Sequence, residues 1–291
     1  VTKRLASDRT DTETADPDTL TSFDSNGFSI GADTGEYGVN QNNSNFVSWN
    51  WNAGTDGKTY TVKVVSDSGN KYRFDDFGTS AVTLDLAEGG TYIFDQSDSS
   101  NAGHPLRFYT AADKTGGEYT TGVTTADTPG QAGAYTQIVV AASAPTLYYQ
   151  CSVHAGMGGQ ANTNSTLGSS NFDGSIQTTV KVNSSAGFSI ISHVGSGAVG
   201  TIGHGLGVKP DAIFLKNRTQ AHGWQVYHSS IGATKHLILN TNAAAGTANN
   251  KFNDTEPTSS VITLKTAASS NQSGQNIIAY CFSEVEGYSK F

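Results

Sequence analysis

Apolar and polar residues along this chain alternate with a period of two wherever they show order, the period of a strand with one buried face. Between residues 55 and 162 the pattern comes in short, repeated runs. Tyr60, Val62 and Val64 alternate with polar neighbours, as do Val82, Leu84 and Leu86. The runs TYIF, LRFY, QIVVAA and TLYYQC follow, each set off by turn residues. Short strands at this spacing predict a β-sandwich. Val62, Val64, Leu84, Ile93, Phe94, Phe108, Ile138 and Tyr148 are the expected core residues. Upstream, Phe28 and Ile30 alternate with polar residues, and Phe46, Val47, Trp49 and Trp51 mark a second strand beyond an Asn-rich turn. Together they read as a hairpin without the rest of its domain. Residues 1–19 are polar and predict an extended connecting arm. No apolar run approaches the roughly 18 residues of a membrane helix.

The end of the chain repeats the upstream order of strand, polar turn and aromatic strand. Asn45-Phe46-Val47-Ser48-Trp49 lines up with Asn276-Ile277-Ile278-Ala279-Tyr280. A spaced self-match of this kind divides the chain into tandem units. Residues 20–54 read as the closing strands of a preceding β-rich repeat and 55–162 as an inserted sandwich. Residues 163–175 read as a linker and 176–291 as the next β-sandwich repeat. The fold class is therefore all-β, with tandem β-sandwich domains. Two strands are too few to stand alone, so residues 20–54 are expected to complete a unit with other sequence or with a neighbouring subunit.

Composition agrees: 33 Gly with many Ser, Thr and Asn suit short strands and many turns. The net charge of −8 is spread as 3 basic and 8 acidic residues in 1–54, 6 and 11 in 55–162, and 8 and 6 in 163–291. No segment carries the basic footprint of a nucleic-acid partner. Cys151 and Cys281 fall in different units, so no disulfide framework is expected. The chain starts at Val1 with neither an initiator Met nor a signal-like stretch, which reads as part of a larger or processed product.

The stretch YYQCSVHAGMGG, residues 148–159, sets Cys151, His154 and Met157 three residues apart each time. Thiolate, imidazole and thioether form a soft donor set that suits copper rather than magnesium or calcium. His104, between Gly103 and Pro105 at the start of the LRFY strand, is the candidate fourth ligand. The competing reading makes Cys151 and Met157 soft core fillers and the two histidines polar residues on a binding tip. A cysteine hydrolase fits less well, because no third group is placed to orient the histidine.

With these residues in place, 55–162 resembles a cupredoxin: an early His before a strand, then CxxHxxM after a Tyr-rich last strand. The loop is similar to the shortest blue-copper loops, as in amicyanin. The resemblance implies a Greek-key sandwich, with His104, Cys151 and His154 as trigonal copper ligands and Met157 as the weak axial one. In the family the first His is often followed by an Asn that ties the two ligand loops together. Pro105 stands there in this chain, which puts that tie in question.

The phrases GFSIISHVGSG, GHGLGVKPDAIFLKNR, the Trp-containing strand, NDTEPTSS and NIIAYCFSEVEGYSKF resemble a repeated β-rich domain of marine bacteriophage tail fibres and related virion proteins. The resemblance implies a non-enzymatic virion component, a tail fibre or appendage segment in host attachment. It would be built as a homotrimer with other virion proteins as neighbours and a host receptor or glycan as target, without membrane insertion. The alternatives are a secreted or periplasmic blue-copper electron carrier and a capsid decoration protein. His204, His222, His228 and His236 fit no paired-ligand motif and read as surface or turn residues. Lys216, Asn217 and Arg218 read as a solvated strand end with some reach for an anionic glycan. Asp75, Asp76, Asp95 and Asp98 match no regular calcium loop.

Overall fold

The computed structural model describes residues 3–32 and 38–291. The fold is all-β. The arm and the segment after it hold four short strands, β1 (Lys3–Arg4), β2 (Thr14–Ala15), β3 (Leu20–Asp24) and β4 (Gly27–Ile30), paired β1 with β2 and β3 with β4. The middle unit runs through β5 (Gly57–Ser66), β6 (Asn70–Phe74), β7 (Leu84–Asp85), β8 (Thr91–Asp95), β9 (Leu106–Tyr109), β10 (Val123–Ala126), β11 (Tyr135–Val139), β12 (Leu147–Cys151) and β13 (Gln160–Asn162). One sheet has the order β10-β11-β8-β5-β6, the other β7-β13-β12-β9. β5 runs parallel to β8 and β13 parallel to β7, and the remaining pairs are antiparallel.

Between these sheets lies an aromatic core. Phe94 meets Phe108 with ring centroids 5.5 Å apart, and Phe74 meets Tyr149 at 5.1 Å. Edge-on and tilted contacts of this kind add to the burial of the rings themselves. Of the eight expected core residues, Val62, Leu84, Phe94, Phe108 and Ile138 are fully buried, while Val64, Ile93 and Tyr148 are half-buried. The parity of the strands explains the difference. Cys151 points inward at the end of β12, so Leu147 and Tyr149 point inward with it and Tyr148 faces the other way. In β8 the inward pair is Tyr92 and Phe94.

The last unit contains β14 (Ser169–Asn171), β15 (Thr178–Asn183), β16 (Phe188–Val194), β17 (Gly200–Gly203), β18 (Ala212–Asn217), β19 (Gln225–His228), β20 (Lys235–Ile238), β21 (Gly246–Thr247), β22 (Val261–Leu264), the short helix α1 (Ala268–Asn271) and β23 (Asn276–Phe282). An eight-stranded sheet, β14-β15-β16-β23-β18-β19-β20-β21, is faced by the β17–β22 pair. Ile191, Ile213, Leu215, Ile277 and Ala279 of the large sheet pack against Ile202, Ile262 and Leu264 of the small one. These are the inward members of strands with period two.

Two features fix the units to each other. Phe172, just after β14, is buried in the middle unit's core, its ring 5.7 Å from Tyr60 and 5.2 Å from Phe77. Around it, Tyr60 Oη donates to Ser170 O (2.8 Å), Thr179 Oγ1 donates to Asp85 Oδ2 (2.8 Å), and Lys181 pairs with Asp56 (2.8 Å). The arm and Trp51 meanwhile cover part of the outer face of the large sheet. Trp224 Nε1 donates to Ala6 O (2.9 Å), Lys216 Nζ to Thr10 O (2.8 Å), and Trp51 packs tilted on Phe188 and edge-on to Phe282. The expected hairpin between Phe28–Ile30 and Phe46–Trp51 does not form. β4 pairs with β3 across a tight turn, and residues 45–51 belong to no strand and pair with none among the described residues.

Candidate metal centre

β9 and β12 are antiparallel neighbours with Cys151 opposite Leu106, which brings the turn before β9 and the loop after β12 to the same sandwich end. His104 sits on the first and His154 on the second. Their Nδ1 atoms face one sulfur: Cys151 Sγ is 3.9 Å from His104 Nδ1 and 3.6 Å from His154 Nδ1. The two imidazoles are 4.7 Å apart at their centroids. Among the described residues this is the one His, Cys, Asp and Glu cluster with ligand atoms within 4.8 Å of one another.

The separations test whether these groups suit a shared ion. Donors bonded to one ion at about 2.0–2.3 Å, with angles between tetrahedral and trigonal, stand roughly 3.5–3.8 Å apart. The two sulfur–nitrogen distances fall at and just beyond that interval. A neutral thiol has a single S–H and so donates to only one imidazole. Both Nδ1 atoms nevertheless face the sulfur. Burial, with a smaller contribution from the neighbouring His154, holds the His104 pKa below the usual histidine value, favouring the neutral ring that coordinates metals. Met157 is buried and belongs to the same apolar cluster as Cys151.

The sulfur also accepts the backbone N–H of His154 (3.4 Å), closing the CxxH turn on itself. A glycine is required where the loop rejoins the sheet. A Cβ on Gly158 would lie 1.6 Å from Tyr149 O, so no side chain fits there. Lys114 Nζ donates to Cys151 O (3.1 Å) and Ser152 O (3.3 Å), Lys71 Nζ donates to Gly156 O, and Tyr72 N donates to Met157 O (2.8 Å). Every turn of the ligand loop is thus held from a neighbouring strand or loop.

The tie that Pro105 cannot supply through an N–H is made by other groups. Pro105 O accepts from Ser152 N (2.9 Å), joining the two ligand loops directly. His104 O accepts from Gln96 Nε2 (2.9 Å) and from Tyr72 Oη (2.8 Å). Gln96 Oε1 accepts from Leu106 N (3.0 Å), so one buried amide spans both sides of Pro105. Asn101, also buried, accepts from Gln96 Nε2 (3.3 Å) and donates to Val62 O (2.7 Å). On the far side of the ring, His104 Nε2 lies 3.5 Å from the Asn70 amide. Partners of this sort orient metal-binding imidazoles. Sequence reasoning missed Gln96 and Asn101, because a polar QSDSSN stretch looks like any solvated loop.

The other candidates separate from the site. His204 is fully buried rather than at the surface. Its Nδ1 accepts from Leu206 N (3.2 Å) and its Nε2 lies 3.3 Å from Thr258 O, which makes it a turn clip. His222, His228 and His236 are half-buried. Lys216 and Asn217 are buried, not a solvated strand end, and Arg218 is engaged by Glu13. Asp75 and Asp76 pair with Lys58 (3.1 Å) and Lys63 (2.8 Å), while Asp95 and Asp98 accept backbone N–H groups of Ser97 (2.8 Å) and Ser100 (2.9 Å).

No curated protein and no solved structure matches the chain. One family model does, over residues 1–81 and 161–291, and its break from 82 to 160 contains His104, Cys151, His154 and Met157. On that match the chain belongs to the family described as a domain of unknown function, DUF7483.

Proposed function

We propose that the chain is a non-enzymatic structural component of a bacteriophage virion, a tail fibre or appendage segment in host attachment, with a copper-binding module set into its scaffold. The convergence of two imidazole Nδ1 atoms on the Cys151 thiol carries the metal part of this reading. A bound copper ion would supply one-electron redox chemistry with little rearrangement of its ligands. His104, Cys151 and His154 would hold it, and buried Met157 would be the candidate fourth ligand. Gln96, Asn101 and Tyr72 keep the His104 turn in place, while Lys71 and Lys114 hold the opposite loop.

The scaffold part rests on the likeness of residues 176–291 to repeated tail-fibre domains. The way the two units are locked supports it: Phe172 plugs one unit from the chain of the other, with polar bonds on both sides of the plug. Units joined like this form a stiff spacer, and loops at their ends vary without disturbing the cores. The assembly in this reading is a homotrimer, checked by the mass of the intact particle, and the partners are neighbouring virion proteins and a host surface receptor or glycan.

Titration of the purified chain with Cu(II) tests the metal site. One equivalent is expected to bring an intense visible thiolate-to-copper absorption, abolished by Cys151→Ser while the far-ultraviolet circular dichroism stays unchanged. Absence of that band in the unaltered chain overturns the copper reading. Imaging of virions with a label on the chain tests the location, and a label on the capsid shell rather than on the tail would favour decoration.

A further inference from the structure

Segment 45–51, which belongs to no strand, carries a cluster of exposed apolar side chains, with only Trp51 resting against Phe188 and Phe282. Phe46, Val47, Trp49 and Trp51 are 52%, 70%, 71% and 50% exposed. Among the described residues no backbone hydrogen bond joins the segment to a strand, and no charged residue occurs between positions 38 and 55. Natural proteins guard an open strand with charges, proline or a covering element. A run with Val47, Trp49 and Trp51 on one face and Phe46, Ser48 and Asn50 on the other has the alternation of an antiparallel strand with one apolar face.

The self-match says which sheet. Carried two residues further, the register that sets Asn45 on Asn276 places Trp51 on Phe282. The matched strand, β23, is the interior strand between β16 and β18 and pairs antiparallel with both. Ile277, Ala279 and Cys281 face its core, and Ile278 is covered on the other face. In that register Phe46, Ser48 and Asn50 take the core side and Val47, Trp49 and Trp51 the outer side. In this chain the slot between β16 and β18 is filled by β23 itself. A partner must therefore be a unit whose own slot is open.

We propose that Phe46–Trp51 is a donor strand that completes a second unit of the same family, seated between two antiparallel strands of the β16 and β18 type. The segment falls within the matched residues 1–81, so it belongs to the family pattern rather than to the inserted stretch. Main-chain bonds on both edges would give the affinity, and alternate side chains the register. The proposal goes beyond the metal and attachment readings and depends on neither.

The test uses the full chain as donor and an acceptor cut after Gln275, which empties the slot. The acceptor also carries Val47→Asp and Trp49→Asp, so that it cannot donate to itself. A synthetic peptide of residues 276–291 sets the signal of a filled slot. Co-refolding is expected to give a soluble one-to-one complex in which donor amides 46–51, fast to exchange in the chain alone, are slowed on the order of 100-fold or more. A donor with Val47→Asp and Trp49→Asp keeps its own fold, since both side chains are exposed, and is expected not to rescue the acceptor. No rescue by the unaltered donor overturns the proposal. Equal rescue by the altered donor overturns it too.

Discussion

Replacing Gln96 by leucine isolates what the buried amide behind His104 does. Leucine nearly fills the same space, so the main loss is polar. Leu106 N points away from β12 and has Gln96 Oε1 as its acceptor (3.0 Å), so it is left buried without a partner. An orphaned buried donor costs about 1–3 kcal/mol. The bonds to His104 O (2.9 Å) and Asn101 Oδ1 (3.3 Å) are lost as well, but Tyr72 Oη still donates to His104 O (2.8 Å) and the Asn101 bond is long, which limits these further losses together to about 1 kcal/mol. The sum is roughly 2–4 kcal/mol, a large part of the 5–15 kcal/mol that holds a typical domain. Native-state hydrogen exchange reads this directly: globally exchanging amides of β9 and β12 should speed up about 30-fold to 1,000-fold, at tenfold per 1.4 kcal/mol. Copper affinity should fall about 10–100-fold, the usual cost of removing a group that orients a ligand. A change under about 0.5 kcal/mol in exchange would refute the view that this amide replaces the missing tie at Pro105.

Two further predictions concern the scaffold. Phe172→Ala should cost about 3–5 kcal/mol, because the ring is buried among Tyr60, Phe74 and Phe77; denaturant unfolding should show the loss in the middle unit although the residue lies in the chain of the last one. His193 is buried, and burial outweighs a contact with the Ser270 backbone to push its pKa down to about 4. The unfolded chain takes up that proton near pH 6.5 and the folded chain only near 4, so stability should fall by about 3 kcal/mol as pH drops across this window. His193→Leu should flatten the slope, and an unchanged slope in denaturant titrations at pH 7, 5.5 and 4 would refute the assignment.

How far the sequence could be read depended on whether a residue acts through its side-chain pattern or through its backbone. Val62, Leu84, Phe94 and Phe108 were legible because one-sided burial leaves a period of two. The choice between Tyr148 and Tyr149 was not, since Leu147, Tyr148 and Tyr149 are consecutive apolar residues and the inward Cys151 sets the parity. Cys151 and His154 were legible because three-residue spacing is a chemical pattern, and His104 because a turn and a strand follow it. The docking of the arm was invisible. Two of its contacts run through the carbonyls of Ala6 and Thr10, which every residue possesses, to Trp224 and Lys216 more than 200 positions away, and the Glu13–Arg218 ion pair joins two charges that no spacing relates. Gln96 and Asn101 escaped for a related reason: a buried polar residue has the same letter as a solvated one, and only the geometry of its partners tells them apart.

The placement of the ligands against the family match separates two questions that the molecule presents together. All four candidate ligands fall in the stretch 82–160, between the matched segments. The groups that brace their loops come partly from the matched side, since Asn70, Lys71 and Tyr72 of β6 reach His104, Gly156 and Met157. Membership of the family therefore gives no argument for a metal, and a metal gives none for the role of the family. What the matched parts do share with each other is the closing-strand pattern, once as β23 inside a finished sheet and once as the run Phe46–Trp51, which belongs to no strand. The two tests are independent for that reason. Loss of copper through Cys151→Ser should leave strand donation intact, and aspartates at Val47 and Trp49 should leave the visible spectrum of the copper-loaded chain unchanged. A variant of either kind that abolished both would mean that the two ends of the molecule communicate through the Phe172 junction, where the last unit enters the core of the middle one.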